Sequence, residues 1–297
     1  MLVRRSVSVL FVLGLCAAGL CAQQQFTLLA TLLDPETGTP VETLTPADVH
    51  VSEDGAVAKI VKVDAVVRTV KVQVLIDNGV GIGQNLAELR AGVRHLLEAL
   101  PPGVETTVVT TSPQPRMLVK ATKNREELLK GVDLLTPDSA TGRFTESLTE
   151  AAERGNKDKD TFTVLIAAGT TSGDGHIRDV HMKRLLEQIQ GRPMIIHVLM
   201  YSGERSATGG DSQIEVGQKV TKLTGGRYEF INNISRYATL MPELGAEVAK
   251  QVVGSTRQFR ITAQRPDGKS GKLGKLGKLG KLGMSAGTRA VANVRVE

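Results

Sequence analysis

The 297-residue chain has no tryptophan, 3 tyrosines and 6 phenylalanines. An aromatic share of 3% leaves little from which to build a stacking platform for single-stranded nucleic acid or an aromatic sugar-binding cleft, so aliphatic side chains must fill the interior. Cysteine is scarce as well. The 2 cysteines, Cys16 and Cys21, both fall in a segment that reads as a removable signal, which excludes disulfides and thiolate chemistry from a mature chain. No apolar run reaches the ~20 residues that a bilayer span requires. An excess of one charge sign is also missing from the body. The formal net charge of +6 comes from Arg4 and Arg5 near the start and from Lys269, Lys272, Lys275, Lys278 and Lys281 near the end. Taking those seven from the 37 basic residues leaves one fewer than the 31 acidic residues. The body is therefore nearly neutral and presents no basic footprint for nucleic acid.

What is present points to a folded, exported protein. Hydrophobic residues at 41% and charged residues at 23% match ordinary globular usage and exclude whole-chain disorder. The length allows two domains. Arg4 and Arg5 followed by the apolar stretch 7–15 and the small residues of 18–22 read as a secretory signal cleaved after Ala22, which places the mature chain outside the cytoplasm, secreted or periplasmic. Cys16 follows Leu15 and Cys21 follows Leu20. A lipid-acceptor cysteine normally follows a small residue, so no lipid anchor is expected.

Two rhythms follow the signal. Residues 23–68 hold short apolar runs separated by turn chemistry, with Asp54-Gly55 between two of them, the pattern of a β-hairpin in a small β module. From 69 to 253 apolar runs alternate with helical spacing. Strands are predicted at 70–76, 104–111, 117–121, 163–168, 194–200 and 227–231. Helices are predicted at 84–100, 124–135, 145–154, 180–190, 214–223 and 237–253. The two strands at 104–121 are separated by only a few turn residues and suit an antiparallel edge. The expected class is α/β, a doubly wound and mostly parallel sheet. Residues 254–297 contribute alternating strands at 256–263 and 289–296, which rejoin the N-terminal module. Between them, 271–282 is four copies of Gly-Lys-Leu. Frequent glycine disfavours a helix and proline is lacking, so the tract reads as a loop expanded by repetition, with a lysine contact to anionic envelope polymer as its functional alternative.

The segments Val74-Leu75-Ile76-Asp77, Thr163-Val164-Leu165-Ile166-Ala167-Ala168-Gly169 and Leu223-Thr224-Gly225-Gly226-Arg227-Tyr228 occur in the order seen in von Willebrand factor type A domains, which the chain resembles. The flanking Leu44-Thr45-Pro46-Ala47-Asp48-Val49 and Arg257-Gln258-Phe259-Arg260-Ile261-Thr262 resemble the secreted acidobacterial subfamily of such proteins. The resemblance covers nearly the whole mature chain. It implies a non-enzymatic domain that holds a divalent cation at the C-terminal end of its sheet, where the ion accepts a carboxylate from a protein partner.

Hard oxygen ligands must converge from three loops for that purpose. Carried over residue by residue, the first carboxylate is Asp77, but the two serine positions are Gly79 and Gly81 and the later aspartate is Ala168. The threonine position falls on Gly142 by simple spacing, with Thr141 or Thr145 as substitutes. One carboxylate and at most one hydroxyl predict no tight metal site and no cofactor, while weak Mg²⁺ or Ca²⁺ binding at Asp77 stays open. Asp77 is then expected to cap the backbone amides of the following helix. Partner recognition is expected at rim loops 77–84, 138–145, 169–179 and 202–212, with Asp77, Asn78, Arg143, Thr170, Asp174, Glu204 and Asp211 as contact residues.

Other constellations are weaker. Gly79, Gly81 and Gly83 would need a further glycine where Gln84 stands to form a dinucleotide fingerprint. Ser212, after Gly210-Asp211, has no nucleophile elbow around it and no identifiable histidine partner. These two features carry the enzymatic alternative, a nucleotide binder or a hydrolase. A structural envelope component is the third. His176 and His181 lack the spacing and the third partner of a metal pair. His197, in an apolar strand, is expected to be a hydrogen-bonded core residue.

Overall fold

The structure, a computed structural model, describes residues 25–33, 41–53, 56–172, 179–202, 210–264, 279–284 and 290–296. The predicted signal 1–22 with both cysteines, the Asp54-Gly55 turn, His176, Asp174, Glu204 and repeat residues 271–278 lie outside the described residues.

Chain order is β1 (Gln25–Leu33), β2 (Val49–Glu53), β3 (Ala56–Val67), β4 (Thr69–Ile76), α1 (Leu86–Ala99), β5 (Glu105–Thr110), β6 (Arg116–Thr122), α2 (Arg125–Asp133), α3 (Phe144–Gly155) and β7 (Thr161–Thr170). It continues through α4 (Asp179–Ile189), β8 (Met194–Tyr201), α5 (Gly210–Thr224), β9 (Tyr228–Ile231), α6 (Tyr237–Ser255), β10 (Arg257–Gln264), β11 (Leu279–Met284) and β12 (Ala290–Val296). These strands form two six-stranded sheets, in the orders β6-β5-β4-β7-β8-β9 and β11-β2-β3-β10-β1-β12. The first is parallel except for β6, which pairs antiparallel with β5 at the edge as the short connection between them predicts. The pairs given for the second are all antiparallel. The α/β class with a flanking β module is what the sequence pattern predicts.

The continuous apolar run of β7 has a simple cause. Every one of its residues is buried, and alternate side chains enter opposite layers. Phe162, Val164, Ile166 and Ala168 face the layer containing α1, α2 and α6. Leu165 and Ala167 face the layer containing α3, α4 and α5. A third core, built on Leu28, Leu32, Val51, Phe259 and Ile261, belongs to the β module. Passage between the sheets is abrupt. Only Arg68 separates β3 from β4, and its N–H donates to Thr256 O (3.0 Å), beside the point where α6 gives way to β10.

Two local expectations are corrected. Leu279–Met284 is a strand paired with β2, so the whole fourth repeat and the last residue of the third are not loop. A three-residue repeat does not match the two-residue period of a strand, and the mismatch is taken up by a register shift between Leu279 and Leu282. Second, α5 begins at Gly210, which puts Asp211 and Ser212 in its first turn and shortens the 202–212 loop. Small polar residues suit that position because the first N–H groups of a helix lack internal partners. Among the described residues no helix is long and apolar enough to cross a membrane.

Candidate functional site

The adjacent parallel strands β5, β4 and β7 end at the same edge of the sheet. Ile76 is in register with Thr110 of β5 and Ala168 of β7. The pairing continues one step beyond β4, because Asp77 N–H donates to Ala168 O (2.8 Å) and Thr111 N–H to Ile76 O (3.0 Å). Asp77 is therefore carried into the junction of three loops and is 2% exposed. Its Oδ1 accepts from Gly79 N–H (2.9 Å). Its Oδ2 accepts from the hydroxyl of Thr170 (2.6 Å) and from Thr170 N–H (3.2 Å). Thr170, the last residue of β7, is 1% exposed.

The surroundings are crowded. A Cβ at Gly142 would stand 2.6 Å from Asp77 Oδ1 and 2.7 Å from both Cγ and Oδ2. One at Gly79 would meet Ala140 O at 2.5 Å and Ser112 Oγ at 2.9 Å. One at Gly81 would collide with Thr170 Oγ1 and lie 2.7 Å from Ser172 Cβ. Backbone bonds lock these approaches in place: Val80 N–H donates to Ala140 O (3.0 Å), Asp138 N–H to Asn78 O (2.7 Å) and Arg143 N–H to Thr111 O (2.9 Å). Asn78, also buried, donates from its amide to Thr136 O (3.0 Å) and accepts from Ser112 N–H (3.3 Å). The buried hydroxyls of Thr111, Thr145 and Thr171 have no hydrogen-bond partner among the described residues.

No protein-family model matches the chain, and no curated protein matches it in sequence. Solved structures do match. A von Willebrand factor type A protein from Catenulispora acidiphila aligns with a TM-score of 0.51 at 12% identity, over 76% of this chain and 50% of that one. The α/β unit has the von Willebrand factor type A fold. This chain spans about half the length of the Catenulispora protein. Also similar are the conserved hypothetical protein BatB from Bacteroides thetaiotaomicron (TM-score 0.47, 12% identity, 61% of this chain and 98% of that one) and proximal thread matrix protein 1 from the mussel byssus (0.47, 16%, 64% and 50%).

Within this type A fold, the structure gathers Asp77, Gly79, Gly81, Gly142 and Thr170 at one point. Gly142 is the residue of its loop that lies against Asp77, while Thr141 is half-buried and Thr145 sits inside the first turn of α3. Ala168 is present through its carbonyl, which accepts from Asp77 N–H. Arg143 precedes α3 as its N-cap, with an exposed side chain. The expectation that Asp77 caps the next helix is overturned. That helix begins only at Leu86, and the carboxylate turns instead to Gly79 and across the sheet to Thr170. The sequence places Thr170 and Ala140 on the rim without their contacts to Asp77 and Gly79, and Ser112 lies outside every predicted rim loop. Their signal is only the strand register, which no spacing along the chain displays.

Elsewhere, the Tyr237 phenol is held far above its usual pKa, first by burial and then by the charges of Asp77 and Tyr201. Among the described residues, no three His, Cys, Asp or Glu side chains form a metal-ligating group. His197 is fully buried. Its Nδ1 accepts from Arg227 N–H (3.1 Å), so its Nε2 carries the proton and donates to Gln251 Oε1 (2.8 Å). Burial lowers its pKa, with the Gln251 bond and Glu247 opposing and Arg227 assisting. A depressed histidine pKa contributes stability that is complete above about 6.5 and is lost as pH falls toward the folded value, because the unfolded chain takes up a proton that the folded one refuses. Urea unfolding between pH 7 and 5 is expected to show the wild type losing stability by up to about 1.4 kcal/mol per pH unit more than His197→Gln. Parallel pH profiles for the two proteins would contradict this.

Proposed function

We propose that the chain is an extracytoplasmic, non-enzymatic interaction protein that recognises a protein partner through the C-terminal rim of its type A sheet, without a tightly held cation. One observation carries the reading. The only carboxylate at the ligand positions is nearly inaccessible, with both oxygens engaged by donors from the protein itself. A hard divalent cation takes about six or more oxygen ligands. Positions 79, 81, 142 and 168 supply no side-chain oxygen, and Gly142 lies against the carboxylate where an ion would need room. These residues do not fit a tight Mg²⁺ or Ca²⁺ site. Recognition then rests on shape and polar contacts, for which the exposed Arg143 stands beside the junction.

The glycine loop also supports a non-enzymatic reading. A pyrophosphate cradle needs open space over its glycines, whereas Ala140, Ser112 and Thr170 crowd Gly79 and Gly81. The test pairs calorimetry with capture. Titration of the mature chain with MgCl₂, MnCl₂ and CaCl₂ should give no saturable heat. A partner retained from the protein's own envelope fraction should be kept in EDTA and released by Arg143→Glu. Saturable Mg²⁺ binding that disappears in a folded Asp77→Ala variant, or capture abolished by EDTA, would overturn the proposal.

A further inference from the structure

We infer that Thr170 does mechanically what the cation does in a metal-bearing type A domain: its side chain bridges the loop after β4 to the end of β7. This rests on the metal-independent reading above and names the device that replaces the ion.

A cation at this place holds separate loops together by drawing their oxygens to one centre. Here the same two chain segments are joined directly. The Thr170 hydroxyl reaches Asp77 Oδ2 at 2.6 Å, the short length of a hydroxyl bonded to a carboxylate. Both residues are almost completely buried, where such a bond is little weakened by water. Register makes the contact possible. Ile76 pairs with Ala168 and Asp77 N–H donates to Ala168 O, so Asp77 comes beside Gly169, one residue from Thr170, whose N–H also donates to the carboxylate.

The bridge also explains the glycine at 81. A Cβ there would collide with Thr170 Oγ1 and lie 2.8 Å from Thr170 Cβ and 2.7 Å from Ser172 Cβ. The threonine side chain fills the volume that a serine in place of Gly81, the family's second ligand position, would need even for its first carbon. Side chains at 81 and 170 are therefore mutually exclusive occupants of one space beside Asp77. Gly81→Ser alone cannot rebuild a metal site, because the space its side chain needs is taken.

Mutual exclusion is measurable as coupling. In urea denaturation, Gly81→Ser should lower the midpoint through collision. Thr170→Ala should lower it by removing a donor from a buried carboxylate. The double variant should lie above Gly81→Ser, because the tightest contact at 81, that with Thr170 Oγ1, is then gone, while the Cβ atoms of residues 170 and 172 stay at 2.8 and 2.7 Å. Thr170→Ser, which keeps the hydroxyl, should stay near the wild-type midpoint. Losses that simply add, or a Thr170→Ala midpoint equal to wild type, would overturn the bridge. If Gly81→Ser does not fold, Thr170→Ala against Thr170→Ser decides the matter: a lower midpoint for alanine that serine restores supports the bridge, and equal midpoints for the two overturn it. Additive losses with capture intact in EDTA remove the bridge alone. Capture lost in EDTA with the coupling intact removes the metal-free function alone.

Discussion

Gly226→Ala is expected to lower the unfolding free energy by at least about 3 kcal/mol, and soluble expression with it. An added Cβ would collide with Ile196 O and stand 2.6 Å from Ile196 C and 3.2 Å from His197 N. These are backbone atoms of β8, all of whose side chains are buried, so no rotamer change can make room. The preceding Gly225 turns the chain with φ of 73°, a conformation that side chains disfavour. Gly226 N–H then bonds Thr221 O (3.0 Å), and Arg227 N–H bonds the His197 ring. The glycine pair thus sets the entry to β9. Chemical denaturation checks this directly, and a variant within about 1 kcal/mol of wild type would show that the approach is not as close as described.

Asp77→Ala should cost about 2–4 kcal/mol even with EDTA present, because two backbone N–H groups and the Thr170 hydroxyl lose an acceptor in a buried site. A simple helix cap at a surface would cost about 1 kcal/mol, so the magnitude separates the two roles. Asp77→Asn, which keeps one acceptor oxygen, should fall between alanine and wild type. A midpoint for Asp77→Ala equal to wild type in EDTA would mean that the carboxylate's bonds contribute nothing and that the site is not held by its internal hydrogen bonds.

The elements were legible in the sequence wherever one periodicity ran long enough. The helical spacing of 84–100 became α1, and the apolar run of 194–200 became β8, because apolar side chains must all reach a core whichever layer supplies it. The antiparallel edge at β5 and β6 followed from a connection too short for a crossover. The repeat tract misled for the opposite reason. Its composition argues loop, yet pairing with β2 supplies hydrogen bonds that propensity does not count.

Sequence alone also shows that Gly79, Gly81 and Ala168 carry no side-chain oxygen. What stands in their place was decided only by tertiary structure. Asp77 and Thr170 are far apart along the chain and meet because β4 and β7 are parallel neighbours whose register brings the residue after Ile76 beside the end of β7. Composition and spacing report which groups a chain possesses. Only the sheet decides which of them come within reach of one another, because a hydrogen bond depends on distances of tenths of an ångström that no linear pattern encodes.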